Sequence, residues 1–327
     1  MEIVISNILL TRRCPYKCSY CRIVKDYENS PYPNVHSYTE LSAQAWMDAI
    51  KILEDHGCVF HTIYGGEPIV YKDMDELIRL MTEHETKYTF ITSGAMPDKW
   101  LALHKKYGIK GISSSVDIVS ALSIDDRAKK SSLGKVFLSE MKQAGVDDVV
   151  AVTVLDEKNI HGDGIFNLVK ELSSKGIVTE ITTIDEPKSE WYDFAEKTDL
   201  SIKSYDRFKM VMDNLKGMKK AGYLIHNNEE YFVEAKEVID SEYRCKTPYT
   251  SLTIEPDGTL RLCYRIGGKS VRVLKVFDLP GHTDFVEKAF EKDRKELCKG
   301  CLWNCIMMSE FLTKDKVYAK KVFQHNQ

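Results

Sequence analysis

The chain has 327 residues, 43% hydrophobic and 29% charged, enough for a large core with a smaller second unit. Its net charge of -3 gives no general attraction to nucleic acid or to an anionic membrane, and no stretch approaches the ~18 apolar residues that cross a bilayer. Its nine cysteines fall in clusters, which points to metal ligation in a reducing compartment rather than to disulfides.

In chain order, the apolar run Ile3 to Leu10 predicts a first strand. It lacks a basic start and is interrupted by Ser6 and Asn7 before Arg12 and Arg13, so it is not a secretion signal, and the expected address is the cytoplasm. Then comes Cys14-x3-Cys18-x2-Cys21. Further strands are expected at Val59 to Tyr64, Tyr88 to Thr92, Gly111 to Val116, Val149 to Leu155 and Val178 to Thr183. Helical patterns lie between them at Leu41 to Asp55, Met74 to Glu85, Lys99 to Tyr107, Val136 to Ala144 and Ile165 to Ser174, with turn glycines at Gly57, Gly108, Gly145 and Gly176. Six such units in about 180 residues are too few to close an eight-stranded barrel, so the α/β fold expected is an open six-stranded (β/α)6 partial TIM barrel. An irregular stretch from Asp185 to Asp199, a helix from Tyr205 to Ala221 and a linker-like patch from Gly222 to Glu230 follow. This places a boundary between a barrel of residues 1–222 and a C-terminal unit of residues 223–327. That unit holds Cys245, an alternating hairpin over Ser251 to Cys263 around Pro256-Asp257-Gly258, then Cys298, Cys301 and Cys305. The hairpin would bring Cys263 near Cys245. A final helix over Met307 to Gln327 would turn Lys314, Lys316, Lys320 and Lys321 to solvent.

Four-iron clusters are normally held by four cysteines, so three thiolates on one loop can hold one while leaving an iron open. An open metal position can bind and activate a ligand. Half of a zinc site, or unrelated core cysteines, are the alternatives, although C-x3-C-x2-C fits zinc spacings poorly. In parallel α/β sheets reactive groups gather at the C-terminal strand ends. The cysteine loop, Gly65-Gly66-Glu67-Pro68, Thr92-Ser93-Gly94 and Ser115-Val116-Asp117 follow the first four strands, which puts all four on one rim. Cys58, ahead of the second strand, reads as a core residue.

The cysteine triplet together with Gly65 to Pro68 resembles the radical S-adenosylmethionine (SAM) superfamily. The resemblance implies a [4Fe-4S] cluster on Cys14, Cys18 and Cys21 that binds SAM through its amino and carboxylate groups. Reductive cleavage then gives methionine and a 5'-deoxyadenosyl radical that abstracts a substrate hydrogen, with an electron donor such as flavodoxin or ferredoxin. Gly65, Gly66, Glu67 and Pro68 match the family's GGEP motif around the methionine amino group, where a residue without Cβ can approach a ligand and adopt positive φ. Tyr20 matches an aromatic set against adenine, with a packing tyrosine as the alternative. Ser93 stands where relatives carry Asn. Ser115 and Asp117 resemble the SxD of the peptide-modifying branch, and Arg127 its arginine for the methionine carboxylate, a role suited to a planar fork.

Cys245-x12-Gly258-x4-Cys263 with Cys298-x2-Cys301 resembles the auxiliary-cluster module called SPASM, or its shorter Twitch form. The later C-x5-C element is missing, which implies one auxiliary [4Fe-4S] cluster on Cys245, Cys263, Cys298 and Cys301. A four-cysteine zinc site is the alternative. Cys305 is an alternate ligand, a hydrogen donor to a substrate radical, or a structural cysteine. The resemblance implies net oxidation or crosslinking of a ribosomally made peptide. A small-molecule (aminocyclitol or sugar) dehydrogenase or epimerase is the runner-up, favoured by the lack of room for a leader-binding domain ahead of residue 3. A non-catalytic metal-cluster binding protein is the reading from another class.

Overall fold

Six strands form where the apolar runs fall: β1 (Ile5–Leu9), β2 (Phe60–Tyr64), β3 (Tyr88–Thr92), β4 (Gly111–Ser115), β5 (Asp148–Leu155) and β6 (Val178–Thr183). The computed structural model describes residues 4–16, 39–118, 126–183, 202–238, 251–261 and 274–297. Between the strands run α1 (Ala43–Asp55), α2 (Met74–Glu83), α3 (Pro97–Tyr107), α4 (Asp126–Gln143) and α5 (Gly164–Ser174). Consecutive strands pair in parallel from β1 to β6, giving the open partial barrel.

Helix α1 shows how the sequence sets its geometry. Ser42 caps it by accepting the Ala45 amide, and Trp46, Met47, Ile50 and Leu53 recur at helical spacing on the buried face. Gly57 closes the turn at φ 96°, a conformation costly for other residues. Burial alternates along β5 and β6, so one face of each strand packs under helices while the other looks into the open barrel.

Two features depart from the expectations. The first is the patch at 222–230, which lies against β6 rather than trailing as a linker. Thr179 of β6 donates its amide to Leu224 and accepts from His226, while the Asn227 side-chain amide takes both backbone groups of Ile181 at 2.7 Å. This pairing covers the outer edge of β6. A helix, α7 (Glu229–Val238), begins directly afterwards and packs on α6 (Tyr205–Lys220), burying Tyr231, Phe232 and Ala235. Its signal was present in the sequence: Asn228 accepts the Tyr231 amide at 2.9 Å, and Glu229 and Glu230 occupy the first turn.

The second concerns the hairpin. It forms as β7 (Ser251–Ile254) and β8 (Leu260–Arg261), but it joins the barrel sheet. Strand β7 pairs in parallel with β1, Ile5 opposite Ser251 and Ile8 opposite Ile254, so the sheet runs β6-β5-β4-β3-β2-β1-β7-β8. Helix α8 (Thr283–Leu297) follows, reached through a short turn at Val276–Asp278 that packs against α1. Helix α4 also starts earlier than Val136, because its polar first turns carry little apolar periodicity. Cys245, Cys263 and the segment Met307 to Gln327, where a helix is expected, lie outside the described residues, as does the stretch from Asp185 to Asp199.

Candidate active site at the barrel rim

Beyond β1 the chain runs on beside the exit of β2. Leu10 donates to Tyr64 at 2.7 Å, Gly66 to Thr11 at 2.7 Å and Glu67 to Arg13 at 2.8 Å. These bonds carry residues 10–13 to Cys14, which stands partly exposed at the mouth. The glycines are required here by closeness. A Cβ on Gly65 would sit 2.6 Å from the Thr11 carbonyl oxygen, and one on Gly66 would sit 2.6 Å from that of Arg12. Neither glycine has positive φ, so the expectation of a left-handed conformation fails, and the backbone they approach is the stem of the cysteine loop.

Glu67 is fully buried. One of its carboxylate oxygens accepts from Thr92 Oγ1 at 2.5 Å and the other accepts from the Ser93 amide at 2.8 Å and from the Ser93 hydroxyl. Burial pushes its carboxyl above the usual range, and the Ser93 and Thr92 hydrogen bonds oppose that shift. Glu67 and Ser93, both expected beside the cofactor, therefore hold one another and tie β2's exit to β3's. Pro68 opens the short turn Pro68–Val70, which Glu67 caps through the Ile69 amide.

The β4 exit closes the row. Ser115 ends the strand opposite Val152, and buried Asp117 accepts the Val154 amide at 3.1 Å, extending the β4–β5 ladder with a side chain. Gly134 of α4 lies against this exit, where a Cβ would meet the Ser115 carbonyl oxygen at 2.6 Å. Arg127 stands in the first turn of α4, and its side chain falls outside the described residues. So do Cys18, Tyr20, Cys21, Cys298, Cys301 and Cys305. Among the described residues no three metal-ligating side chains form a group. Cys58 is buried as expected, beside His61 at the opposite end of β2.

Three residues of the rim were not singled out from the sequence. Arg12 is buried and forms an ion pair with buried Glu255, at the end of β7. Glu40, where the chain returns from the cysteine loop, accepts from Thr11 Oγ1 at 2.5 Å and pairs with Arg13 at 2.8 Å. A buried arginine demands an acid, but spacing cannot name a partner 243 residues away.

Of Cys14, Cys18 and Cys21, Cys14 lies among the described residues, and it suits an iron-sulfur cluster. Cysteine thiolate is the natural ligand, Cys14 is accessible, and its sulfur accepts the Tyr16 amide at 3.5 Å, a contact of the kind that tunes such clusters.

The profile of the Radical SAM superfamily matches residues 8–162. Curated relatives include a GTP 3',8-cyclase of Campylobacter curvus, 25% identical over 166 residues, which are 50% of each chain, and one of Aliarcobacter butzleri, 24% identical over 174 residues, 53% of this chain and 52% of that one. The chain thus spans about half the length of the curated relatives it matches. Among solved structures, Streptococcus suis SuiB bound to S-adenosylmethionine superposes with TM-score 0.65 at 15% identity, over 91% of this chain and 72% of that one. Native anSMEcpe with bound AdoMet and Cp18Cys peptide gives 0.57 at 15% identity over 99% of each. Partial barrel, rim motifs and matched profile agree: residues 8–162 carry a Radical SAM superfamily domain, of a family that uses S-adenosylmethionine and a [4Fe-4S] cluster.

Proposed function

We propose that this enzyme abstracts a hydrogen atom from a ribosomally made peptide, with net oxidation or crosslinking as the outcome. The observation that carries the radical chemistry in this reading is the stem of Thr11 to Cys14, clamped to Gly66 and Glu67 at the mouth of the barrel. When bound to Cys14, Cys18 and Cys21, the cluster supplies an electron and an open iron to SAM, whose cleavage yields the 5'-deoxyadenosyl radical. In this reading Gly65, Gly66, Glu67 and Pro68 form the floor beneath the methionine end, and Ser93 braces Glu67. Ser115, Asp117 and Arg127 complete the cofactor side at β4 and α4, and Tyr20 packs on adenine.

The division at residue 222 belongs to the same proposal, with residues 223–238 and β7 packed on the barrel. Cys245, Cys263, Cys298 and Cys301 would hold one auxiliary cluster that accepts the electron left on the substrate. Cys305 would serve as hydrogen donor or alternate ligand. Peptide as substrate draws support from the fold, since SuiB was also solved bound to precursor peptide SuiA, and this likeness covers 92% of the present chain. The relatives named GTP 3',8-cyclase favour a second reading, action on a small molecule.

The test is anaerobic incubation with SAM and reduced flavodoxin or ferredoxin. Release of 5'-deoxyadenosine is expected, and Cys14→Ala should abolish it. Mass spectrometry of candidate precursor peptides against GTP, aminocyclitols and sugars separates the two readings. A protein that releases no 5'-deoxyadenosine is a binding protein instead. Iron analysis and the visible spectrum of the Cys14→Ala variant report on the C-terminal cysteines, where zinc without absorbance would remove the auxiliary cluster.

A further inference from the structure

The stem that leads into the cysteine loop is held from the far half of the chain. We propose that Arg12 and Glu255 are positioning residues for the SAM cluster, through which the β7–β8 hairpin fixes where Cys14 leaves the barrel. The inference rests on the radical SAM reading of that loop.

Four contacts converge on this point. Arg12, two residues before Cys14, forms a buried ion pair with Glu255 at the end of β7. Strand β7 pairs with β1 through Ile8 and Ile254, so the two chain exits run side by side. The returning stem is held by the same hairpin: Leu41 donates its amide to Pro256 at 2.9 Å, and its side chain lies where a Cβ on Gly258 would touch it at 3.2 Å. Glu40 then joins the two stems through Thr11 and Arg13. Entry and exit of the loop are therefore fastened both to each other and to the turn at Glu255 to Gly258.

The chemistry of the pair suits positioning better than support alone. A buried ion pair adds little stability over apolar residues of similar volume, whereas the bond from Arg12 Nη2 to Glu255 Oε2, between two buried side chains, ties the stem to one point of the hairpin. Residues that orient metal ligands without touching the metal commonly alter affinity or activity by about 10- to 100-fold when changed.

The experiment compares the unaltered, anaerobically reconstituted protein with Glu255→Gln, Arg12→Lys and the double variant Arg12→Met/Glu255→Leu. SAM affinity is measured by equilibrium dialysis, folding by thermal melts, and the cluster by the change that SAM causes in the electron paramagnetic resonance spectrum after reduction. Glu255→Gln should weaken SAM binding by about 10- to 100-fold and alter the SAM-induced spectrum. Arg12→Lys, keeping the charge on a head group of different reach and direction, should fall between. The apolar pair should restore the melting temperature and leave the binding defect in place, which a purely structural role would not do. SAM affinity and spectrum restored by the apolar pair, or unchanged in Glu255→Gln, overturn the proposal. Hydrogen exchange on the unaltered protein gives a reading independent of the variants: amides of residues 11–13 should open together with those of β7, and separate opening overturns it. An unaltered protein that binds no SAM overturns the superfamily chemistry and this inference with it.

Discussion

Gly66 has backbone on the side where a side chain would stand, so Gly66→Ala cannot be absorbed by a rotamer change. The Arg12 and Arg13 carbonyls must move, and a cost of about 1–3 kcal/mol is expected. Denaturant unfolding should show it, and SAM binding should fall with it because the displaced segment ends at Cys14. Glu67→Gln keeps the shape but turns one acceptor into a donor facing Thr92 or Ser93. With that network buried, a loss of about 1–3 kcal/mol is expected. The motif was legible in the sequence as glycines after a strand, and its position on the rim was correct. Its partner was not legible, because closeness to Thr11 and Arg12 depends on how β1 and β2 lie together. Ser93 illustrates the same limit, since a departure from the family's Asn gains its meaning only beside Glu67.

At the scale of elements, long periodic segments declared themselves and short polar connections did not. The patch at 222–230 reads as a linker because its role falls to backbone groups and to Asn227, none of which leaves an apolar period. Asn227→Ala removes two bonds to Ile181 and should cost about 1–3 kcal/mol, with faster amide exchange along β6 as the readout. Helix α6 depends on a distant cap. Glu157 accepts the Lys203 amide at 2.7 Å, the Ser204 amide at 3.0 Å and the Ser204 hydroxyl at 2.5 Å, just before Tyr205. Burial alone would raise its carboxyl, yet these hydrogen bonds, with one from His161, lower it from 4.5 to about 2. The stabilisation is therefore complete above pH 4.5 and lost as the pH falls toward about 2. Melting curves of Glu157→Gln should lie below those of the unaltered protein by about 0.5–2 kcal/mol near neutrality and converge on them across that window.

Over the whole molecule, the six strand–helix units were readable because each carries its own period and its own closing turn. The attachment of β7 was not, since parallel strands pair through the sheet and leave no local trace of which strand comes next. Among the described residues two hydrophobic clusters result. One packs beneath α1 to α4 and takes in Leu252, Ile254 and Leu260 of the hairpin, while the other packs β6 with α5, α6 and α7. Ending the chain at residue 238 would strip β1 of a neighbour and Arg12 of its acid. Breaking a buried pair on one side costs about 3–5 kcal/mol. Such a truncation should give little soluble monomer by size-exclusion chromatography, although it retains the whole segment matched by the superfamily profile.

The separation of Arg12 and Glu255 by 243 residues also sets a clock for synthesis. A ribosome adding about 5–20 residues per second delivers Glu255 some 12–50 s after Arg12. Through that interval the nascent chain presents the β1 edge that β7 will cover, and Arg12 has yet to meet Glu255. Iron delivered early would meet a loop whose stems are held by Gly66, Glu67 and Glu40 but not yet by the hairpin.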